Sequence, residues 1–353
     1  MSFYIFLVKQ TQSIYMVVHE NFSLKKYNTF GMNVSSKYFV EMNSDEDILQ
    51  LLSERKFRNC DKLVIGSGSN ILFTKNFNGL IIALASSAVS VIEDKAESVL
   101  VTARAGVVWH DLVLFCLDRN YGGIENLSLI PGKAGAAPIQ NIGAYGQELK
   151  DVFYSLKGIN IDDSKQIVMH KSECKFGYRN SVFKNELKNK IIVTEITLKL
   201  DKSPKLSMDY GAIREELDKL NKSDITIKDV SSTICKIRKS KLPDPQLLGT
   251  AGSFFKNPEV TTDIYFKLKE KFPDLNGYKI SDDTFKIPAA WLIEKGGFKG
   301  KRFGNAGVHE KQALVIVNYG DALPHQVVEL KEKIKSEIFQ TFKIKLVEEV
   351  III

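Results

Sequence analysis

Asn126-Leu127-Ser128-Leu129-Ile130-Pro131-Gly132-Lys133-Ala134-Gly135-Ala136-Ala137-Pro138-Ile139-Gln140-Asn141-Ile142-Gly143-Ala144-Tyr145-Gly146 is the stretch on which the reading of this chain turns. Four glycines and two prolines stand among small residues and amides. The segment therefore lacks a helical period and would leave backbone donors unpaired if merely buried. A run of glycine and serine alone would read as solvated linker, but Leu127, Leu129, Ile130, Ile139 and Ile142 demand burial. An ordered loop with so little side chain is suited to lie against a ligand.

A second small-residue loop stands upstream. Lys62-Leu63-Val64-Ile65 reads as a short buried strand running into Gly66-Ser67-Gly68-Ser69-Asn70-Ile71-Leu72-Phe73. Glycines and serines after a strand can turn successive N–H groups inward as a nest, a positive concavity suited to a pyrophosphate. Two better-known phosphate motifs are excluded by their residues. The dinucleotide fingerprint needs glycine or alanine where Ile71 stands, and a P-loop needs Gly-Lys-Ser/Thr after its spacer.

The 353 residues are enough for two or three domains with well-formed cores. The formal charge of +7 comes from lysines dispersed among 42 acidic residues, with no basic arm, so an anionic small molecule explains it at least as well as nucleic acid. Cys60, Cys116, Cys174 and Cys235 lie far apart and the five histidines form no metal-binding motif. Structural zinc and a disulfide framework are both disfavoured, which fits a reducing cytoplasm with cysteines as core filler. Residues 1–18 are apolar but broken by Lys9-Gln10-Thr11-Gln12-Ser13, too short for a membrane span and poor as a signal peptide, so Met16 is a candidate start.

Ser44-Asp45-Glu46-Asp47 reads as a helix cap and acidic first turn leading to Ile48, Leu51 and Leu52 on one face. With strands near residues 38–41 and 62–65 it suggests a small βαβ unit with a parallel pair. Strands near 80–84 and 99–103 lead to a helix over 109–119, stopped by Gly122-Gly123, and alternating segments follow near 151–161 and 190–200. Two prolines within Lys241-Leu242-Pro243-Asp244-Pro245 mark a domain entrance. Beyond it come helical patterns at 262–272, 289–294 and 324–341, a strand at 313–317, and a terminal strand at 346–353.

With both loops in hand the chain resembles the UDP-N-acetylenolpyruvoylglucosamine reductases. The resemblance rests on Tyr27-Asn28-Thr29-Phe30-Gly31, the 66–70 loop, the 130–146 loop, Phe176-Gly177-Tyr178-Arg179-Asn180-Ser181, residues 241–245, Ala251-Gly252-Ser253-Phe254-Phe255-Lys256-Asn257-Pro258 and Glu349-Val350, all in family order. It implies an α+β, three-domain flavoenzyme: a two-domain FAD-binding half of the PCMH or vanillyl-alcohol-oxidase-like type and a C-terminal α+β domain for the substrate. The corresponding bounds are a dispensable extension at 1–20, FAD-binding subdomains at 21–82 and 83–238, a UDP-sugar domain at 239–341, and a strand at 342–353 returning to the flavin half. Asp209-Tyr210-Gly211 resembles the tyrosine loop of the subclass that folds a lid over substrate.

The resemblance also implies noncovalent FAD, held by Gly66, Ser67, Gly68, Ser69, Asn70, Ile130, Pro131, Gly132, Gly135, Ala136, Ala137, Gln140, Asn141, Gly143, Ala144, Tyr145 and Gly146, with NADPH as hydride donor. Reducing an enolpyruvyl double bond builds charge beside the carboxylate, which preorganised cations and hydrogen-bond donors can stabilise. By resemblance Arg179 is that cation, and a bidentate fork suits a carboxylate. Ser253 is then the proton donor and Glu349 the third catalytic residue; Ser253 lacks the flanking glycines of a hydrolase nucleophile elbow. Glu348, facing the other way along the strand, is expected to be solvated. Tyr210, Arg238, Lys241, Asn257 and Gln312 match substrate positions, although Arg238 and Lys241 also read as solvated charges on a helix. Ile351 stands where the family often has arginine.

The activity implied is reduction of UDP-N-acetylglucosamine enolpyruvate to UDP-N-acetylmuramate in bacterial peptidoglycan synthesis, by a cytoplasmic monomer with no nucleic-acid, membrane or metal partner. A sugar or hydroxy-acid oxidase of the same FAD fold is the alternative, and a nonenzymatic nucleotide-binding protein is disfavoured.

Overall fold

A computed structural model describes residues 16–353. The expected extension at 1–20 and the candidate start at Met16 therefore concern mostly residues 1–15, outside those described. Val18–Ser23 is already a strand. Two compact units are present: one of residues up to Phe22 with Ser36–Ser67 and Asn78–Ser240, the other of Ser23–Ser35, Gly68–Phe77 and Lys241–Ile353.

The first unit carries two sheets. One has the order Val18–Ser23, Ser35–Met42, Phe77–Leu84, Lys62–Ile65. The predicted helix between its strands is Asp45–Ser53, closed by a capping box in which Asp47 N donates to Ser44 Oγ at 3.0 Å and Ser44 N to Asp47 Oδ2 at 3.1 Å. The expected parallel pairing needs correction. Lys62–Ile65 does pair in parallel, but with Phe77–Leu84, which lies between it and Ser35–Met42. Phe77–Leu84 is nearly all apolar and buried, as a central strand must be, and takes the inner place.

The other sheet is antiparallel, in the order Gln166–His170, Phe153–Asn160, Ile191–Asp201, Ser98–Arg104, Val89–Asp94. Helix Trp109–Asp118 packs Trp109, Leu112, Val113 and Cys116 into its core with Ile196, Leu198 and Val101. Each such fully buried large side chain contributes on the order of 2 kcal/mol. Trp109 Nε1 donates to Leu127 O at 2.9 Å, so the same side chain that fills the core fixes the entry to the glycine-rich loop.

That loop is ordered, and it is more regular than its composition suggests. Ala134–Gln140 forms a 3-10 helix, a form without the 3.6-residue period by which a helix is recognised in sequence. Gly135 presses on Ala105, where a Cβ would lie 2.5 Å from the alanine Cβ, and its N–H donates to Ala105 O at 3.1 Å. Leu127 is wholly buried, and Ile130, Ile139 and Ile142 pack against the same core.

The second unit contains an antiparallel sheet in the order Gly249–Ser253, Val315–Asn318, Ala306–Val308, Arg302–Phe303, and a three-stranded sheet of Glu259–Thr261, Thr284–Lys286 and Tyr278–Ser281. Its helices are Thr262–Lys271, Ala289–Lys295 and Pro324–Phe342. The motif Asn28-Thr29-Phe30-Gly31 belongs here. Thr29 Oγ1 donates to Thr250 O at 2.6 Å, Asn318 Nδ2 donates to Phe30 O at 2.9 Å, and the Phe30 and Phe254 rings meet edge to face. The terminal strand is shorter than expected: Ile351–Ile352 pairs in parallel with Ile71–Leu72. Residues 344–350 leave only the bridge of Glu348 to Phe255 before it.

Candidate active site

In the first unit Gly66, at the head of the upstream loop, meets the 130–146 loop. Gly66 faces Lys133 and Ala136, and a Cβ there would lie 3.4 Å from Lys133 Cβ and 3.6 Å from Ala136 Cβ. Lys133 is anchored by a 2.7 Å hydrogen bond from Nζ to Leu84 O, and burial pushes its pKa down. On the second-unit side of the same turn, Gly68 has φ +61°, and a side chain there would drive into the carbonyl oxygen of Tyr27. Two loops without side-chain bulk, tightly seated on neighbouring backbone, fit the demand of a dinucleotide for close backbone approach. Among the described residues no cluster of His, Cys, Asp and Glu could hold a metal ion.

The turn Phe176-Gly177-Tyr178-Arg179-Asn180-Ser181 is stitched onto the 139–150 segment. Gly177 and Asn180 exchange backbone hydrogen bonds of 3.0 and 3.2 Å, leaving Tyr178 and Arg179 at the tip. Arg179 sits there with φ +49°, a left-handed conformation that side chains rarely adopt. Its Nη2 donates to Gly143 O at 2.6 Å. Asn141, wholly buried, donates from Nδ2 to Gly177 O and to Glu148 Oε2, both at 3.1 Å, and accepts from Lys150 N on Oδ1. Ser181 Oγ donates to Ile139 O at 2.6 Å. Glycine at 143 suits this packing, because a Cβ there would come within 2.9 Å of the backbone oxygen of Gln147 as well as of Arg179 Nη1.

Further along the same loop Tyr145 meets Arg238 and Tyr210. The side chains of Tyr145 and Arg238 interact electrostatically. Burial raises the tyrosine pKa and lowers that of the guanidinium, and Arg179 adds a second positive charge that Arg238 feels. Arg238 is thus not the solvated alternative: its Nε is buried without a partner. A buried donor beside a second arginine suits an incoming anion. The Tyr145 and Tyr210 rings meet edge to face at 5.5 Å. Tyr210 precedes helix Gly211–Asp218, and Arg238 and Lys241 lie on helix Ile227–Lys241, with Lys241 exposed at its end.

In the second unit Ser253 and Glu349 are brought to one place by the backbone. Ser253 ends strand Gly249–Ser253 after a register break that begins at Thr250, with Gly252 at φ +74°, and such a bulge re-aims the side chain that follows it. Glu349 N donates to Phe254 O at 2.9 Å, and Asn70 Nδ2 donates to Glu349 O at 3.2 Å. The proton-donor candidate, the carboxylate candidate and the end of the 66–70 loop are therefore neighbours. Ile351, where arginine was the family expectation, donates its N–H to Asn70 O at 2.9 Å and serves the short parallel strand.

Glu348 is not solvated, contrary to expectation. It accepts from Lys335 at 2.8 Å and Lys331 at 3.2 Å, two cations one helical turn apart on Pro324–Phe342. Burial opposes its ionisation, but the lysines prevail and its pKa lies below the usual value. Asn257 and Gln312 are engaged locally: Asn257 Oδ1 accepts from Ala289 N at 2.9 Å and Gln312 Oε1 from Leu314 N at 3.4 Å. As for the cysteines, Cys116 and Cys174 are core residues with thiol pKa values pushed up to about 12 by burial, whereas Cys235 is half-buried with Sγ 4.0 Å from His110 Nε2.

Three participants escaped the reading of the sequence. His110 Nδ1 accepts from Leu129 N at 3.0 Å, Lys133 backs Gly66, and Asn126 bonds the carbonyls of both Tyr145 and Ser207. Asn126 alone left a trace, as an amide at the head of a loop whose neighbours ask for burial.

Comparisons with known proteins agree in family and fold. Residues 244–353 match the family model described as UDP-N-acetylenolpyruvoylglucosamine reductase, C-terminal domain, and residues 36–168 match an FAD binding domain. A UDP-N-acetylenolpyruvoylglucosamine reductase of Flavobacterium johnsoniae is 46% identical over 339 residues, covering 96% of this chain and 100% of that one. Its counterpart from Pseudomonas aeruginosa is 44% identical over 329 residues, covering 93% and 97%. The solved structure of the Thermus caldophilus enzyme superposes with a TM-score of 0.67 over 96% of this chain and 99% of that one, and at 23% identity it shows the shared fold.

Proposed function

The chain belongs to the UDP-N-acetylenolpyruvoylglucosamine reductase family, and on that premise we propose how its residues divide the work. It is an FAD-dependent oxidoreductase of peptidoglycan precursor synthesis, reducing UDP-N-acetylglucosamine enolpyruvate to UDP-N-acetylmuramate. FAD, when bound, would supply hydride transfer from NADPH to the enolpyruvyl double bond. The 66–70 turn and residues 130–146 hold the cofactor, as their lack of side-chain bulk and close mutual seating support.

Arg179 engages the enolpyruvyl carboxylate and stabilises the charge that builds beside it. The hydrogen bond to Gly143 O holds the guanidinium in place before substrate arrives, so little reorganisation is left for the reaction itself. Ser253 delivers a proton to the carbon next to the carboxylate, completing addition of one hydride and one proton across the double bond. Glu349, held by backbone bonds to Phe254 and Asn70, assists that protonation. Tyr210, Arg238, Lys241, Asn257 and Gln312 bind the UDP-sugar. The enzyme acts as a cytoplasmic monomer, where nucleotide sugar and NADPH are at hand. Among the described residues no helix is long and apolar enough to cross a membrane.

The observation that carries this reading is the convergence of Arg179, Tyr145 and Arg238 on the loop proposed for the flavin. Anaerobic mixing tests it. NADPH should bleach the visible flavin absorbance, and the enolpyruvyl substrate should restore it with formation of UDP-N-acetylmuramate. Bleaching without restoration by that substrate would refute it.

A further inference from the structure

Asn126 heads the flavin-loop segment and is wholly buried. Its amide nitrogen donates twice, to the carbonyl of Tyr145 at 3.0 Å and to that of Ser207 at 2.9 Å, across 19 and 81 residues of sequence. The partners fix the orientation of the amide, since turning it over would set its oxygen against two carbonyl oxygens. In the orientation observed, Oδ1 is buried with no partner. A half-satisfied buried amide is a poor source of stability. What it does accomplish is geometric, because it joins two backbones that share no strand or helix.

Those two backbones carry Tyr145 of the flavin loop and Tyr210 of the candidate substrate set, whose rings meet edge to face. Tyr145 follows the Arg179 contact at Gly143, holds a left-handed φ of +50°, and its side chain interacts with that of Arg238. Ser207 lies three residues before Tyr210, in a stretch without helix or strand that is otherwise anchored by Leu206 and Met208 against the apolar cluster of Ile213, Leu217 and Ile234. Apolar anchors fix depth but not direction. The hydrogen bond from Asn126 to the Ser207 carbonyl adds a directional hold on this stretch.

We propose that Asn126 is a positioning residue for substrate binding: one amide latches the Tyr210 segment to the flavin loop, setting the place of Tyr210 and, through Tyr145, of Arg238 for the diphosphate of the UDP-sugar. The inference rests on the assignment of Tyr210 and Arg238 to that substrate. Asn126→Asp keeps the shape and removes the donor, and Asn126→Leu does the same without adding charge.

The test uses FAD-loaded enzyme, photoreduced without oxygen and mixed with increasing UDP-N-acetylglucosamine enolpyruvate while flavin reoxidation is followed. Asn126→Leu and Asn126→Asp should keep FAD. Their half-saturating substrate concentration should rise about tenfold or more with a limiting rate within about threefold of the parent, the pattern of lost binding rather than lost chemistry. Unchanged half-saturation in either FAD-loaded variant would overturn the latch, as would loss of FAD from both, which would make Asn126 a support of the loop fold. Tyr210→Ala separates this from the premise. If it leaves half-saturation unchanged, the assignment of Tyr210 falls and the proposal with it. A rise in Tyr210→Ala alone refutes only the latch.

Discussion

Replacing Gly68 by alanine probes the pyrophosphate turn at the point where backbone meets backbone. A Cβ at Gly68 would fall onto the Tyr27 carbonyl oxygen and 2.8 Å from Asn28 Cα, with φ at +61°. Both neighbours are main chain, in a segment fixed by Asn28 side-chain bonds to Leu24 O at 2.7 Å and Met32 N at 2.8 Å, so nothing can swing aside. Alanine in the left-handed region costs about 1–2 kcal/mol. Separating the two backbones to contact distance adds about 1–3 kcal/mol of overpacking strain. The sum, about 2–5 kcal/mol, is a large part of the 5–15 kcal/mol that typically holds a protein folded. Gly252→Ala is the internal control: its φ is +74° but nothing lies within 4 Å, so only the conformational cost of about 1–2 kcal/mol remains. Urea unfolding followed by tryptophan fluorescence measures both losses, and flavin absorbance after gel filtration measures retained FAD. Gly68→Ala should lose the larger amount and shed FAD as the turn lifts from residues 27–28, while Gly252→Ala keeps it. Equal destabilisation of the two, or wild-type FAD retention in Gly68→Ala, would refute the reasoning.

Ser253→Ala should leave FAD bound and its reduction by NADPH intact while slowing reoxidation by substrate roughly a hundredfold or more, the cost of losing a positioned acid; stopped-flow absorbance resolves the two halves, and near-normal reoxidation removes Ser253 from the mechanism. Arg179→Lys exchanges a fork that can hold Gly143 O and a carboxylate together for a single point charge, and kcat/KM should fall by about 10²–10³; a change smaller than threefold would point to a structural ion pair. Glu348 has a folded pKa below its unfolded value, so its ion pairs contribute stability above the unfolded carboxylate pKa of about 4.3, lost as pH falls through the lower folded value. Glu348→Gln should therefore melt lower than the parent at pH 7 and converge on it as the pH drops below about 4; parallel melting curves across that window would show that Lys331 and Lys335 are not what holds Glu348.

The sequence by itself determined the elements whose cause is local. Ser44 and Asp47 announce a capped helix because the cap bonds lie within one turn, and they are made as read. The helix beginning at Trp109 and the long strands of the antiparallel sheet follow from periodicity in a few contiguous residues. The two glycine-rich loops stand out by their composition, whereas the Arg179 turn was singled out by its resemblance to the family motif. Only tertiary structure decided what depends on contacts between distant segments. Phe77–Leu84 rather than Ser35–Met42 became the parallel partner of Lys62–Ile65, since strand order is set by which buried strand can be covered on both faces. Glu348 became an ion-pair partner because a helix 13 and 17 residues upstream presents two lysines to it. Asn126 acquired its two carbonyls, 19 and 81 residues away, by the same route. A hydrogen bond between distant residues depends on position in space, and the one-dimensional pattern carries only the donor and the acceptor, not the path that brings them within 3 Å.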